Sequence, residues 1–194
     1  MILFVCEANI CRSPLAAGLV MDRLAALEQP VNVESAGVAA LVGEPVDAGT
    51  ASIAHELGID LSAHRARQLD QEQLARAHLV LTATRRVRGA AVQLHAPAVQ
   101  YTFTLRQFGR ILASAGEPFV PDPERTEDQV EQLRHFAAKH RGLQAPPEPA
   151  ADDIIDPFKR AASAHEQALR EMSPALRQLL SALGADRSPE PSHA

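Results

Sequence analysis

Met1-Ile2-Leu3-Phe4-Val5-Cys6-Glu7-Ala8-Asn9-Ile10-Cys11-Arg12-Ser13-Pro14 is the stretch on which the fold turns. Its first five residues form an unbroken apolar run, the mark of a strand buried on both faces of a parallel sheet. A short polar loop follows, and then the signals of a helix start. Ser13 is expected as the N-cap, Pro14 as the first helical residue, and Leu15 to Leu27 as the helix itself. Strand, tight loop and helix N-terminus together make an anion-binding turn, because successive backbone N–H groups and the helix dipole both favour negative charge there.

That loop holds a thiol and a guanidinium, Cys6 and Arg12. An unperturbed cysteine is only a few per cent thiolate at neutral pH. Helix-start dipoles and a neighbouring cation bring a cysteine's pKa to about 3.5–7.5, so a loop of this kind supplies a nucleophile. Arg12 can hold two oxygens of a tetrahedral oxyanion at once, and loop amides can cover the others. A thiolate facing a bound phosphate, aligned for attack on phosphorus, is the arrangement of a cysteine-dependent phosphatase.

Outward from the loop, strand-like runs recur at Val31 to Ser35, His78 to Thr82 and Ala98 to Phe103. Helical patterns separate them, at Pro45 to Leu57, a short one from Asp70, and Arg85 to Leu94. The alternation predicts β-α-β units with right-handed crossovers, hence an α/β single domain with a small four-stranded parallel sheet and helices on both faces, flavodoxin-like. Ligands of such sheets bind at the carboxyl ends of the strands, where Cys6 stands. Leu105 to Ala113 reads as a further helix and Ala161 to Leu183 as a long closing one, which Pro174 is expected to kink or split. Residues 1–184 are thus expected as one domain. Within it, about 114–153 is expected as a proline-flanked insertion with a charged helical stretch from Glu124 to Lys139, either a solvated excursion or a lid or partner surface that selects substrates. Residues 185–194 are expected as a disordered tail.

Composition excludes several classes. The 194 residues are 46% hydrophobic and 22% charged, ordinary values for a globular domain. A net charge of −5 without a basic stripe argues against nucleic acid. No apolar run is long enough for a membrane span and no signal-peptide pattern stands at the N-terminus, so a soluble cytoplasmic protein is expected. The only cysteines are Cys6 and Cys11. Cys11 is either a small buried residue or the partner that traps an oxidised Cys6 as a disulfide. No Cys/His pair has zinc-ligand spacing, so no metal is expected.

The loop resembles the signature of the low-molecular-weight protein tyrosine phosphatases: Cys, any residue, Gly, Asn, any residue, Cys, Arg, Ser, Pro near the N-terminus. Asp156-Pro157-Phe158 fits that family's Asp-Pro-aromatic motif, and Glu34-Ser35-Ala36-Gly37 and His64-Arg65-Ala66-Arg67-Gln68 fit two further segments. The likeness covers residues 1 to about 112 and about 152 to 183. It implies a phosphotyrosine phosphatase acting on protein substrates through a phosphocysteine intermediate, without cofactor. Cys6 is then the nucleophile, Arg12 the phosphate clamp and Asp156 the general acid and base. The loop from Glu7 through Ala8, Asn9, Ile10 and Cys11 to Arg12 binds phosphate or sulfate, and Phe158 walls the slot for the substrate ring. Ser13 bonds the Cys6 sulfur. Asn9, Ser35 and His64 belong to a polar network that holds the loop in shape.

There are departures from the pattern. Ala8 stands where the family has glycine, no aromatic residue appears near Ala40-Leu41-Val42, and Leu81-Thr82-Ala83-Thr84 replaces a Met-Asp stretch. Relatives that act on phosphoarginine carry threonine where this chain has Ile10, and arsenate reductases of the same fold need further cysteines downstream, which it lacks. A non-catalytic phosphate-binding module is the alternative from outside the enzymes.

Overall fold

A computed structural model describes residues 1–25, 31–142, 145–146 and 148–185. Its centre is a parallel sheet of four strands, β1 (Ile2–Cys6), β2 (Val33–Gly37), β3 (Leu79–Thr82) and β4 (Thr102–Thr104), in the order β2-β1-β3-β4. Ile2 pairs with Val33 on one side and Leu79 on the other, so β1 is central and has no free edge. This fits its uninterrupted apolar run. Ile2 and Phe4 face the larger core, and Leu3 and Val5 face the smaller one, as the two-residue period of a strand requires.

Helices cover both faces: α1 (Arg12–Leu24), α2 (Ala48–Glu56), α3 (Gln71–Arg76), α4 (Arg85–Leu94), α5 (Leu105–Ser114), α6 (Gln129–His140) and α7 (Ala162–Ala182). Residues of α1, α5, α6 and α7 fill the larger core, while Leu74 of α3 and Val87 and Ala91 of α4 pack in the smaller one. Phe4, Phe103, Phe108, Leu79 and Leu81 are almost fully buried. Each such side chain contributes roughly 1.5–3 kcal/mol relative to exposure, so these central positions dominate the core's stability.

Four expectations are corrected. The helix after the loop begins at Arg12, with Cys11 as a side-chain-less cap, so Ser13 is inside the helix rather than its N-cap. Pro14 costs nothing there, because the first-turn N–H groups have no intrahelical acceptor. The fourth strand is only Thr102–Thr104, since Ala96–Gln100 forms a 3-10 turn with Pro97 at its start. Proline fixes φ and removes a ladder donor, which favours the turn. Helix α7 runs unbroken through Pro174. Pro174 and Arg170, whose carbonyl the proline cannot satisfy, lie on the exposed face, while Met172, Ala175 and Leu176 are buried on the other. The split is thus not seen: water can serve the freed carbonyl, and packing of the buried face carries the helix past the proline.

The fourth correction concerns the 114–153 stretch. Its helix starts at an Asp128 cap that accepts from the Glu131 amide at 2.8 Å, and Val130, Leu133 and Ala137 are buried in the larger core rather than solvated. The end of the expected first helix, Leu27, and the tail from residue 186 lie outside the described residues. No helix among the described residues is long and apolar enough to cross a membrane.

Candidate active site

Between β1 and α1 the chain turns around a small pocket, and every carbonyl of the turn is tied on the outside. Cys6 O accepts from Val38 N (3.0 Å), Glu7 O from Ala39 N (2.9 Å) and Ala8 O from Leu41 N (3.1 Å). Asn9 O accepts from His64 Nε2 (2.8 Å), Ile10 O from Asp47 N (2.9 Å) and Cys11 O from Leu15 N (3.2 Å). A trans peptide points its N–H opposite to its C=O. Six outward carbonyls therefore leave the loop's N–H groups directed into the turn, where a buried amide requires an acceptor. A tetrahedral oxyanion supplies acceptors on all sides.

Asn9 is the hub. It is fully buried and adopts a left-handed φ of 58°, a conformation that asparagine accepts more readily than most residues. Its Nδ2 donates to Ser13 Oγ (2.9 Å) and Ser35 Oγ (3.0 Å), and its Oδ1 accepts from Arg67 N (2.8 Å). The strained turn is thus fixed by bonds from β2, α1 and the His64–Arg67 segment together. Ala8 has no positive φ, so alanine in place of the family's glycine is not strained at this position. Glycine is required nearby instead, at Gly37: a Cβ there would lie 2.5 Å from Glu7 O and 2.9 Å from Asn9 N.

The Cys6 sulfur is buried at the floor of the turn, 3.3 Å from the Asn9 amide that donates to it and 3.0 Å from Ser13 Oγ. The Asn9 amide donates to the sulfur, and the Ser13 hydroxyl, which also reaches Ala36 O at 3.4 Å, is placed to exchange a hydrogen bond with it. Arg12 is 5% exposed; its Nη1 donates to Ile154 O (3.1 Å) and its Nη2 pairs with Asp156 Oδ2 at 2.8 Å. Its Nε is buried without a hydrogen-bond partner among the described residues. Leaving a buried charged donor unmet costs more than about 1–3 kcal/mol, which an anion in the turn would recover.

Asp156 reaches Arg12 because its own segment is pinned at several points. Ile154 N donates to Ala83 O (2.9 Å), Ile155 N to Glu171 Oε2 (2.8 Å) and Arg106 Nη1 to Asp153 O (3.3 Å). The Asp153 carboxylate takes Arg85 N (2.7 Å) and Arg85 Nη2 (2.8 Å), and Asp152 pairs with Arg110 at 2.7 Å. Burial opposes ionisation of Asp153, but the Arg85 side chain and amide outweigh it and hold its carboxyl below the ordinary carboxylate value. Both neighbouring acids are therefore committed elsewhere, and Asp156 alone of the three pairs with Arg12. Sequence reasoning missed Arg85, Arg106 and Arg110. The run of acids at 152, 153 and 156 was the one signal that pairing cations had to exist.

The rim is apolar. Phe158 packs with Ile10, Cys11, Ala66 and Ala8, and Lys159 Nζ lies 5.1 Å from its ring centre. Leu41 and Val42 stay exposed, 40% and 69%, where an aromatic wall was sought. Glu7 is salt-bridged to Arg86. Cys6 and Cys11 are both free thiols, and burial is the main cause that pushes the Cys11 thiol up to about 12. Every residue singled out from the sequence, from Cys6 and Asn9 to Ser35, His64, Asp156 and Phe158, is thus brought to one end of the sheet.

A family model described as low molecular weight phosphotyrosine protein phosphatase matches residues 1–140. Among characterised relatives, the probable low molecular weight protein-tyrosine-phosphatase EpsP of Ralstonia nicotianae is 45% identical over 80 residues, 41% of this chain and 52% of that protein. The chain therefore spans about half the length of that relative. The low molecular weight protein-tyrosine-phosphatase Etp of Escherichia coli is 38% identical over 133 residues, 68% of this chain and 83% of its own. Among solved structures, the YwlE arginine phosphatase from Geobacillus stearothermophilus superposes with a TM-score of 0.67 at 27% identity, covering 100% of this chain and 98% of that one.

Proposed function

Since the chain belongs to the low molecular weight phosphotyrosine protein phosphatase family, we propose that it hydrolyses phosphotyrosine in proteins through a phosphocysteine intermediate. The phosphate enters the turn and takes hydrogen bonds from the loop amides and from Arg12, including its free Nε. The phosphate takes Arg12 Nη2 from Asp156, and the released carboxyl carries a proton taken up from solvent or from the arriving phosphate monoester. The Cys6 thiolate attacks phosphorus, the bond from phosphorus to the tyrosine oxygen breaks, and Asp156 gives its proton to the departing phenolate. Asp156 then accepts a proton from water as the water attacks phosphorus. The P–S bond breaks, inorganic phosphate leaves, and the thiolate is restored with Ser13 donating to it. Donors fixed in advance around the oxygens supply most of the stabilisation, as in other oxyanion sites.

The observation that carries this reading is the loop itself: its carbonyls held from outside, an Arg12 Nε without a partner among the described residues, and a sulfur at the floor beside the Asn9 amide and the Ser13 hydroxyl. The apolar rim of Ile10 and Phe158 supports an aromatic ester over phosphoarginine, whose guanidinium would have to lie against Ile10 without a polar partner. The acidic balance of the chain, a net charge of −5, disfavours nucleic acid as the substrate. The test is turnover of p-nitrophenyl phosphate and of phosphotyrosine and phosphoarginine peptides, with Cys6→Ser as the comparison. The expected result is vanadate-sensitive, chelator-insensitive hydrolysis that favours phosphotyrosine, lost in Cys6→Ser while phosphate still binds. Phosphate binding without turnover in the unsubstituted protein would leave a phosphate-sensing module; preference for phosphoarginine would move the protein to that branch.

A further inference from the structure

Three segments far apart in the chain converge behind the phosphate loop. Cys11 ends the loop, Asp47 stands before α2 with its amide on the Ile10 carbonyl, and His165 lies near the start of α7. Cys11 and His165 are each 4% exposed. The Cys11 sulfur, an Asp47 carboxylate oxygen and a ring nitrogen of His165 all lie within 4.8 Å of one another. His165 Nε2 is 3.4 Å from Asp47 Oδ1, and His165 Nδ1 is 3.0 Å from Thr50 Oγ1.

This is a donor set of one sulfur, one imidazole and one carboxylate around a common point. Tetrahedral zinc, with bonds of about 2.0–2.3 Å, spaces such atoms by about 3.3–3.6 Å, so the Asp47–His165 edge already has the right length. Where Nδ1 donates to the Thr50 oxygen, Nε2 presents its lone pair to the Asp47 carboxylate, and two acceptors at that distance are bridged by a cation or a shared proton. An orienting partner on the other ring nitrogen is the usual support of a histidine ligand. Asp47 Oδ1, the oxygen on that edge, also caps α2 by accepting from Gly49 N at 3.0 Å, which fixes its position.

We propose that Cys11, Asp47 and His165 form a binding site for a divalent cation of the zinc class, on the far side of the phosphate loop from the Cys6 sulfur, with one coordination position left to solvent. Binding displaces the Cys11 proton to solvent and forms a metal–thiolate bond, so the ion fastens the end of the loop to α2 and α7. The site goes beyond the phosphatase reading, whose chemistry on Cys6 uses no metal.

The test is a titration of the full chain with Co2+, then Zn2+, in a Cys6→Ser background, where Cys11 is the sole thiol. The expected result is a 1:1 sulfur-to-cobalt charge-transfer band, displaced by Zn2+ and accompanied by a rise in Tm. Thr50→Val should weaken affinity by about 10–100-fold, the range for a ligand-orienting partner, and His165→Gln or Asp47→Asn by more. Absence of a thiolate band in the Cys6→Ser protein, or a band unchanged by both His165→Gln and Asp47→Asn, would overturn the site and leave a protonated histidine paired with Asp47. Should His165→Gln fail to fold, Asp47→Asn and Thr50→Val decide it. Turnover by the metal-free protein stands apart from either outcome.

Discussion

Ala8 and His64 show how much of the loop depends on single backbone positions. The left-handed residue of the turn is Asn9, not Ala8. Glycine at position 8 would therefore relieve no strain and would only add freedom to the unfolded chain. Ala8→Gly is expected to lower stability by about 0.4–1 kcal/mol without raising kcat; a gain in activity measured on an aryl phosphate would show that alanine hinders loop closure. His64 holds the Asn9 carbonyl from outside. Burial lowers its pKa below the ordinary value, the bond to Asn9 O works against that, and the Arg67 and Arg65 charges add to it. The unfolded chain thus takes up this proton at a higher pH than the folded one. Between the two values stability rises with pH; the contribution is complete above about pH 6.5 and is lost as pH falls through the folded value. Urea midpoints measured from about pH 7.5 down to about 5.5 should fall more steeply for the unsubstituted protein than for His64→Gln, whose amide can still donate to Asn9 O. Equal slopes would remove His64 as the source.

At the scale of elements, the acid-bearing segment depends on α4 and α5, which the sequence does not reveal. The strand, the loop and the Asp-Pro-Phe motif were legible because each is a local pattern. The Arg85, Arg106 and Arg110 contacts were not, because they join positions more than 40 residues apart through irregular backbone. Ser13 was misread for a related reason: a serine before proline satisfies the cap rule locally, but here its hydroxyl serves the Cys6 sulfur. The Arg85–Asp153 pair is 44% and 32% exposed, and such pairs add only about 0.2–1 kcal/mol to stability. Its effect should appear in the geometry of Asp156 instead. Arg85→Ala is expected to leave Tm nearly unchanged and to slow esters with poor leaving groups by up to about 100-fold. It should slow p-nitrophenyl phosphate far less, because a good leaving group needs little proton donation. Arg85→Lys should recover only part, since an ammonium lacks the planar fork. A uniform loss across leaving groups would mean that Arg85 acts on the fold and not on the acid.

Over the whole molecule, alternation of strands and helices was enough to give the sheet, but not the way its last helices close over it. Arg141 illustrates the gap. Reading as part of a polar excursion, it instead stacks 4.0 Å from the Phe103 ring centre and donates to the carbonyls of Val99 and Thr102, covering the edge at β4. Burial brings its pKa down to about 10, with Arg88 adding to the effect. The seam between α5 and α7 is equally silent in the sequence, where Gly109 looks like a weak point in a helix. A Cβ at that position would lie 2.5 Å from both Cα and Cβ of Ala175, so the two helices meet backbone to backbone. Gly109→Ala must push α7 outward, and overpacking of this kind costs about 1–3 kcal/mol. For a domain of this size that corresponds to a fall in Tm of about 2–12 °C. Because Arg106 and Arg110 of α5 and Glu171 of α7 also hold the Asp156 segment, turnover of esters with poor leaving groups should fall along with Tm. Ala175→Gly alone is expected to cost about 1 kcal/mol as a helix-interior glycine, and in the Gly109→Ala background it should recover only part of the loss, because the Cα at 175 still lies 2.5 Å from the added Cβ. A double-mutant cycle read by thermal denaturation would measure that coupling; additive losses would show that the two helices do not meet as closely as this packing requires.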